Sequence, residues 1–282
     1  MALSTYLNYN GKLYPSDTLL ISPDNRSFRY GDGFFETMKM MNGNIILEKQ
    51  HSERLFHSLQ VLQFDKPDYF TPVYIHQQIQ NLVIANNHRQ LARVRLMVFR
   101  GNGGLYDVED NEPNYLIQSW DLKEQPTYNS TGAITGIYKA ARKAADAFSP
   151  IKSNNYLPYA MAAMWCKGEG LDTALVMNCY DRIAEAITSN VFIVKEGVVQ
   201  TPPLSEGCIN GVVRRYLLQY MRDRNVRYEE RALTPEDVLN ADELFLTNAG
   251  FYIRWVKQCG ERGYGNEFSR KLFDDAIVPL IG

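Results

Sequence analysis

One lysine stands at an unusual place in the sequence, between a turn and an apolar run. Lys152 lies in AFSPIKSNNYLPYAMAAM, residues 147–164, where a Ser-Pro turn leads into an Ala/Met-rich segment. An amine forms a Schiff base well when part of its population is neutral, and partial burial or neighbouring cations produce that state. Lys152 is therefore a candidate covalent nucleophile, although a solvated lysine at a helix entry is the commoner source of such a pattern.

A carboxylate within an apolar run is the second candidate. Glu185 lies in CYDRIAEAITSNVF, residues 179–192, just before a predicted strand. A buried carboxylate has to be paired or coordinated, because an isolated buried charge is too costly. A salt bridge to the nearby Arg182 would satisfy it, and a pyridinium nitrogen would serve equally well.

A glycine-containing loop has the composition of an anion site. In SEGCINGVVRRYLL, residues 205–218, Gly207 and Gly211 precede a helix that begins near Val212. Free backbone N–H groups and the positive end of the helix dipole favour phosphate at such a start. An ordinary loop punctuated by glycine is the alternative interpretation.

Two further segments could contact the same anion. Thr247, Asn248 and Ala249 end an apolar strand and are small or polar, as a phosphate-contacting loop needs to be. The guanidinium of Arg54, in HSERLFHSL, can bind phosphate bidentately. A surface arginine paired with Glu53 or another neighbour explains the Arg54 segment without a ligand.

The elements that would position these residues are of mixed type. Asn42-Gly43 between apolar runs predicts a hairpin. The segment EKQHSERLFHSLQVLQF has helical period, and TPVYIHQQIQNLVIANN is a second helix with Thr71 as N-cap and Pro72 at the first position. ARVRLMVFRG and NYLIQSW predict strands. The polar segment 121–133 is the best linker candidate.

After the linker, strands and helices alternate, with helices predicted at NYLPYAMAAMWCKGEG, GVVRRYLLQYMRD, TPED and the end of the chain. We expect an α/β (mixed α+β) protein of two domains: a smaller α+β domain over residues 1–120, the linker 121–133, and a larger mixed α/β domain over residues 134–282 that carries Lys152, Glu185 and the anion loops.

Composition narrows the classes of function. The formal net charge of −2 over 282 residues gives no general attraction to nucleic acid or anionic membrane, so we expect neither as a partner. No apolar run approaches the roughly 20 residues of a membrane span, and no signal peptide is visible. The four widely spaced cysteines fit neither a metal site nor a disulfide framework. We expect a cytoplasmic protein with a small-molecule site and no metal.

Several motifs in one order resemble the fold-type IV, or class IV aminotransferase, family of pyridoxal-phosphate enzymes, which includes branched-chain aminotransferases, D-amino-acid aminotransferases and aminodeoxychorismate lyases. The resemblance covers nearly the whole chain. Its motifs are RYGDGFFET, HSERL, IKSNNYL, EAITSNVF, TPPLSEGCINGVVRR and ELFLTNA.

The resemblance implies the cofactor, pyridoxal 5'-phosphate, and a role for each candidate. Lys152 would be the internal-aldimine lysine and would shuttle the substrate proton, and Glu185 would keep the ring nitrogen protonated. The implied phosphate and ring contacts are Arg54, Tyr156, Asn190, Val212, Val213, Thr247, Asn248 and Ala249. Tyr156 lies one residue closer to the lysine than in branched-chain enzymes. The family also implies a homodimer in which N-terminal residues of one subunit close the site of the other.

The substrate side departs from the relatives. Branched-chain enzymes typically carry Tyr-x-Arg where this chain has Arg93-Val94-Arg95, and the tyrosine expected in the GDG segment is Phe35. The Arg and His that typical D-amino-acid enzymes place after the Arg-Gly of this strand are missing from RGNGGLYD. RGNGG and INGVVR look more like aminodeoxychorismate lyase.

An excess of cations remains in the candidate pocket positions, namely Arg29, Arg93, Arg95, Arg182 and either Arg254 or Lys257. Inward-facing arginines favour substrates with two carboxylates. The leading hypothesis is a transaminase that uses D-amino acids such as D-glutamate or D-alanine with 2-oxoglutarate. The alternatives are aminodeoxychorismate lyase, a branched-chain L-aminotransferase, and a pyridoxal-phosphate-binding module without turnover.

Overall fold

A computed structural model describes residues 5–282. The chain divides into two compact units. The first comprises Met1–Gln125 and Ile151–Asn155, and the second comprises Pro126–Pro150 and Tyr156–Gly282. The chain first changes unit inside the predicted linker 121–133. The assignment of Ile151–Asn155, which contains Lys152, to the first unit differs from the predicted domain boundaries.

The first unit contains a six-stranded antiparallel sheet in the order β2-β1-β6-β5-β3-β4. Its elements are β1 (Tyr6–Tyr9), β2 (Lys12–Pro15), α1 (Arg26–Tyr30), β3 (Gly33–Met41), β4 (Asn44–Ile45), α2 (Glu48–Val61), α3 (Pro72–Ala85), β5 (Leu91–Phe99) and β6 (Asn114–Asp121). Helices α2 and α3 supply apolar side chains to one core with β3 and β5, including Leu55, Ile79, Met38 and Val94.

Local sequence signals in this unit are confirmed. Asn42 and Gly43 have φ of 48° and 84° and connect β3 to β4, because the hairpin turn requires positive φ at both central positions. The Thr71 hydroxyl accepts a hydrogen bond from the Tyr74 N–H, and Pro72 begins α3. The β3–β4 turn and the start of α3 therefore lie where short-range chemistry predicts.

The second unit contains a nine-stranded mixed sheet in the order β12-β11-β10-β13-β14-β7-β8-β9, with β15 paired to β14. Its strands are β7 (Ala133–Lys143), β8 (Thr173–Asn178), β9 (Ile183–Ala186), β10 (Asn190–Lys195), β11 (Val198–Thr201), β12 (Tyr228–Glu230), β13 (Glu243–Asn248), β14 (Tyr252–Cys259) and β15 (Arg262–Gly263). Its helices are α4 (Leu157–Glu169), α5 (Val212–Asp223), α6 (Pro235–Leu239), α7 (Glu267–Leu272) and α8 (Val278–Ile281).

The mixed α/β architecture is the predicted one, but the sequence patterns did not predict β9, β11 or β15. All four residues of β9 are buried, so no polar alternation marks it as a strand. Strand β11 follows a turn at Glu196-Gly197, both with positive φ. None of the helices within residues 5–282 has the length and apolar character to cross a membrane.

Candidate active site

The lysine segment lies beside the first residues of β3. The Phe35 N–H donates to the Lys152 carbonyl at 3.0 Å, and the Asn154 N–H donates to the Gly33 carbonyl at 3.0 Å. Phe34 and Ser153 form a β-bridge between these bonds. The main chain of Lys152 is thus fixed by the GDG segment, since hydrogen bonds on both sides of the bridge join it to β3.

The glycines of that segment allow this close approach. A Cβ on Gly31, where φ is 69°, would lie 2.4 Å from Asn155 Oδ1. A Cβ on Gly33 would lie 2.6 Å from the Val98 carbonyl and 2.8 Å from Asn154 Nδ2. Side chains at either position would displace the lysine segment or β5, and glycine is therefore required sterically.

Two cations meet on one aromatic ring. Lys152 Nζ lies 4.3 Å from the centroid of the Phe35 ring, and the Arg95 guanidinium carbon lies 4.0 Å from the same centroid. Lys152 is half-buried. The Phe35 ring thus brings the Lys152 amine and the Arg95 guanidinium close to each other.

Further cations lie on the same face of the sheet. Cross-strand pairs share a face, and β3 pairs Thr37 with Arg95 and Lys39 with Arg93. The Arg93 guanidinium carbon also lies 5.1 Å from the Trp120 ring centroid. We call Lys39, Arg93, Arg95 and Lys152 the cationic face. On this face, none of the residues of β3, β5 and β6 that pair across it between Phe35 and Lys39 is acidic.

Lys39 was not among the predicted site residues. Only 4% of its surface is exposed, and burial lowers its pKa to about 7. Its signal in the sequence is weak, because a lysine in MKMMNGN is typical of a hairpin strand with one solvated face. The registers of β3 and β5, which the sequence does not specify, bring it opposite Arg93.

Arg54 binds a carboxylate on the opposite face of β3. Its Nε and Nη2 donate to the two oxygens of Glu36 at 2.7 and 2.6 Å, and His51 Nδ1 lies 2.7 Å from Glu36 Oε2. Burial acts to raise the pKa of Glu36, but the charge and hydrogen bonds of Arg54, with those of His51, lower it to about 2. The Nε and Nη2 atoms of Arg54 are therefore bonded to Glu36.

In the second unit, the candidate cofactor residues share one face of the sheet. Asn190 pairs with Thr247 across β10 and β13, and Glu185 pairs with Val176 across β9 and β8. The neighbours of these residues along each strand, such as Val191 and Leu246, belong to an apolar cluster on the other face. Since side chains alternate along a strand, this apolar cluster lies on one face and the polar candidates on the other, where Val176 belongs to a second apolar cluster with Tyr159.

The start of α5 has the features of a phosphate cradle. Asn190 Nδ2 donates to the Ile209 carbonyl at 2.7 Å, and a Cβ on Gly211 would lie 1.9 Å from Asn190 Oδ1. The N-cap residue Gly211 supplies no side-chain acceptor to the amides of Val212 and Val213, which begin the helix. Asn190 thus holds the loop closely against β10, and the first-turn N–H groups supply donors for an anion.

One buried hydroxyl supports the fit of a phosphate. Thr247 Oγ1 is buried and makes no hydrogen bond within the described residues, and Thr247 as a whole is only 1% exposed. Buried hydroxyls normally have a partner, because leaving one unpaired costs about 1–3 kcal/mol. Thr247 pairs with Asn190 on the neighbouring strand, and Asn190 holds the loop before α5. A phosphate at the start of α5 would therefore suit both the first-turn N–H groups and the Thr247 hydroxyl.

The residues after Thr247 form a fixed loop. Asn248 Oδ1 accepts from the N–H groups of Gly250 and Phe251 at 2.8 and 3.0 Å, and its Nδ2 donates to the Thr188 carbonyl at 3.2 Å. The Asn248 side chain therefore shapes the loop that contains Ala249. Any contribution of these two residues to phosphate binding is left to their main-chain atoms.

Glu185 is almost fully buried and binds three donors. Its Oε1 accepts from Lys143 Nζ and the Tyr159 hydroxyl, both at 2.5 Å, and its Oε2 accepts from the Ile209 N–H at 2.9 Å. The alternative pairing with Arg182 is wrong. The sequence patterns missed Lys143, Tyr159 and Ile209, because the first of these is 42 residues from the carboxylate.

Two predicted substrate arginines have other surroundings. Arg182 donates to both oxygens of Glu206 at 2.6 and 2.7 Å, so its charge is compensated. Arg254 pairs with Leu246 on the core side of the sheet, the face opposite to Thr247, and its guanidinium carbon lies 4.6 Å from the Phe251 ring centroid. The side chain of Arg254 thus lies on the face of the sheet that carries the apolar cluster of Leu246.

The remaining predicted residues are placed as follows. Arg29 is 43% exposed on α1 and lies 3.6 Å from Asp24. Tyr156 is the N-cap residue of α4, and its ring centroid lies 4.6 Å from that of Tyr159. Tyr156 is therefore adjacent to the Glu185 partners, whereas Arg29 is at a surface helix.

A sequence model of the family described as "Amino-transferase class IV" matches residues 33–259. The chain belongs to the class IV aminotransferases. Enzymes of this family use pyridoxal phosphate, and the chain is a pyridoxal-phosphate-dependent aminotransferase of that class.

Individual class IV aminotransferases resemble the chain along most of its length. It is 28% identical over 270 residues to a putative branched-chain-amino-acid aminotransferase of Methanocaldococcus jannaschii, covering 93% of this chain and 92% of that one. It is 27% identical over 247 residues to a D-alanine aminotransferase of Bacillus licheniformis, covering 85% and 83%.

A solved structure confirms the fold. The branched-chain amino acid aminotransferase of T.th., complexed with N-(5'-phosphopyridoxyl)-L-glutamate, superposes with a TM-score of 0.85 at 21% identity. The match covers 98% of this chain and 94% of that one.

Proposed function

We propose that this aminotransferase moves amino groups between an amino acid and a 2-oxo acid that carries a second carboxylate, with glutamate and 2-oxoglutarate as the fitting pair. The cationic face is the observation that carries the proposal. Arg93 and Arg95 lie on one face with Lys39 and Lys152, and the residues paired with them across β3 and β6 supply no acidic side chain.

The arginines favour a planar anion over an aliphatic side chain. A guanidinium donates two parallel hydrogen bonds to a carboxylate, and each charged bond contributes about 1.5–3 kcal/mol. An aliphatic side chain cannot accept these hydrogen bonds. The aromatic faces of Phe35 and Trp120 hold Arg95 and Arg93 through cation–π contacts, so both are oriented before a substrate binds.

We propose the cofactor roles from the same geometry. Pyridoxal phosphate, when bound, supplies a carbonyl carbon that reacts with amines and a ring that accepts electrons. Lys152 would bind it covalently and move the proton at the substrate α-carbon, and Glu185 would hold the ring nitrogen. The amides of Val212 and Val213 and the Thr247 hydroxyl would bind the phosphate. Arg54 Nη1 and Tyr156 remain proposed further contacts.

The proposal also concerns the identity of the amino donor. The sequence favours D-amino acids such as D-glutamate or D-alanine, and the D-alanine aminotransferase among the relatives supports that choice. A branched-chain L-amino acid as donor, with 2-oxoglutarate as acceptor, is the second candidate. It is supported by the branched-chain aminotransferases among the similar proteins and by the phosphopyridoxyl-L-glutamate bound to the T.th. enzyme.

An amine panel tests the substrate class. The purified protein, supplied with pyridoxal phosphate, is mixed with D-glutamate, L-glutamate, D-alanine or L-leucine, and absorbance reports conversion of the cofactor to its amine form. We expect Arg93→Ala and Arg95→Ala to lower kcat/KM for dicarboxylates at least about 10-fold more than for monocarboxylates, which corresponds to about 1.4 kcal/mol. Arg89→Ala, an exposed arginine before β5, serves as the matched control.

The outcomes separate the alternatives. Conversion by L-leucine but by neither glutamate enantiomer would assign the branched-chain function. Pyruvate release from aminodeoxychorismate without an acceptor would assign the lyase function. Equal losses on both substrate classes would remove the arginine argument, and no spectral change with any amine would leave a binding module without turnover.

A further inference from the structure

The partners of Glu185 form a cluster whose chemistry goes beyond holding a carboxylate in place. Lys143, at the end of β7, contacts Glu185 Oε1 through Nζ, and the same ammonium donates to the Ser149 carbonyl at 3.2 Å. The Tyr159 hydroxyl from α4 donates to the same Oε1. The side chain of Glu185 is 2% exposed and that of Lys143 is 11% exposed, so water screens this pair little.

The carboxylate of Glu185 keeps an acceptor site for a ligand. A carboxylate has about four lone-pair sites. Within residues 5–282, Lys143 and Tyr159 use the two on Oε1, and the Ile209 N–H uses one on Oε2. One site on Oε2 remains, and it suits a single N–H donor such as a protonated ring nitrogen.

The three donors also match the chemistry of a carboxylate. Hydrogen bonds donated to a carboxylate, and above all a neighbouring ammonium, stabilise the charged form over the protonated acid. The other titratable groups at the cluster do not oppose this. Burial raises the pKa of the Tyr159 hydroxyl, and burial raises that of the neighbouring Cys208 thiol to about 12, so both are neutral donors.

We propose that Lys143 is a positioning residue that keeps Glu185 an anion, so that a proton shared with the cofactor stays on the ring nitrogen and does not pass to the carboxylate. Tyr159 and the Ile209 N–H assist it. This inference rests on the proposed function, because it requires Glu185 to face pyridoxal phosphate. It assigns a role to a lysine other than the one that binds the cofactor covalently.

The pair itself is tested without cofactor by a double-mutant cycle on thermal unfolding of the apoprotein. Glu185→Gln leaves the Lys143 ammonium buried without its counter-charge, and we expect a Tm lowered by about 5–15 °C. The Lys143→Met, Glu185→Gln double variant should recover a large part of that loss. Additive effects of the two substitutions would overturn the claim that the two groups compensate each other.

The role toward the ring is tested by nitrogen NMR of the protein reconstituted with 15N-labelled pyridoxal phosphate. We expect the wild-type ring nitrogen to resonate as a protonated nitrogen. Lys143→Met should move the signal toward the unprotonated position, Tyr159→Phe should move it less in the same direction, and Lys143→Arg should restore it. Lys139→Met, an exposed lysine on the same strand, should leave it unchanged.

The two possible failures are distinguishable. A ring signal that does not differ between wild type and Lys143→Met would overturn the inference while leaving the proposed cofactor role of Glu185 intact. A wild-type protein that binds no pyridoxal phosphate would overturn the proposed function and the ring inference together. The thermal cycle would still decide whether Lys143 and Glu185 form a coupled pair.

Discussion

Two nearby residues of β3, Glu36 and Lys39, carry buried ionisable groups on opposite faces of the strand. Glu36 faces the helices and is compensated by Arg54 and His51, so its pKa falls to about 2. Lys39 faces the other side, where burial lowers its pKa to about 7. The GDG-x-Phe-Glu motif and the His-x-x-Arg helix could both be found in the sequence, but their mutual ion pair could not. Spacing along the chain does not reveal which residues of different elements meet.

Acid should destabilise the protein through Glu36. Its pKa in the folded state, about 2, lies below the ordinary value of 4.5, so the stabilisation is present above pH 4.5 and is lost as pH falls toward 2. The contribution is about 3 kcal/mol at neutral pH. Denaturant unfolding of wild type and Glu36→Gln across this range should show the difference between them shrinking as pH falls. The exposed Glu53 provides the control variant Glu53→Gln. A stability difference between wild type and Glu36→Gln that does not change with pH, or an equal effect of Glu53→Gln, would contradict the role of Glu36.

Covalent capture of the cofactor should depend on Lys152. Borohydride reduction fixes a lysine-bound pyridoxal group, and intact-mass spectrometry then counts it. Wild type should gain one phosphopyridoxyl mass and Lys152→Ala none. Lys139→Ala, an exposed lysine of β7, should behave as wild type. A single adduct retained by Lys152→Ala would show that another lysine forms the bond.

At the scale of elements, local signals were predictable and long-range pairings were not. The β3–β4 hairpin and the Thr71 cap follow from neighbouring residues, and both are confirmed. Strand β9 escaped prediction because its side chains are all buried. Asn190 and Thr247 share a face because β10 pairs with β13. The two residues are 57 positions apart in the sequence, and no local pattern encodes their pairing.

The tight start of α5 should be sensitive to one methyl group. Gly211→Ala would place Cβ 1.9 Å from Asn190 Oδ1 and so displace the loop that precedes the first-turn amides. We expect affinity for pyridoxal phosphate to fall at least about 10-fold, measured by fluorescence titration of the apoprotein. Gly168→Ala in α4, where nothing lies within 4 Å, should keep wild-type affinity and be slightly more stable. Unchanged affinity in Gly211→Ala would argue against a phosphate at this helix start.

At the scale of the whole molecule, apolar exposure suggests a partner surface. Phe28 on α1 is 76% exposed, and Leu105 and Tyr106 are 56% and 93% exposed. The Arg26 N–H donates to the Gly101 carbonyl at 3.0 Å, which fixes α1 against the loop that carries the other two. Large exposed apolar side chains in this part of the first unit are candidates for an interaction surface.

We propose that this surface is used in a homodimer, as the family resemblance implies. Light scattering should give twice the 32.4 kDa chain mass for wild type. Phe28→Glu combined with Tyr106→Glu should shift the mass toward one chain, because each buries a charge in an apolar contact. Val73→Glu, 76% exposed on α3, is the matched control and should stay dimeric. A wild-type mass of a single chain would refute the proposal.

The assignment of Ile151–Asn155 to the first unit has a consequence for dissecting the protein into pieces. The chain changes unit after Gln125, after Pro150 and again after Asn155. A gene fragment that ends at Gln125 would lack the stretch whose carbonyl and amide groups bond to Phe35 and Gly33. Neither a single proteolytic nick nor a simple truncation therefore yields a complete first unit. A split version would have to supply the lysine-bearing pentapeptide separately, as a peptide added in trans or by circular permutation of the gene.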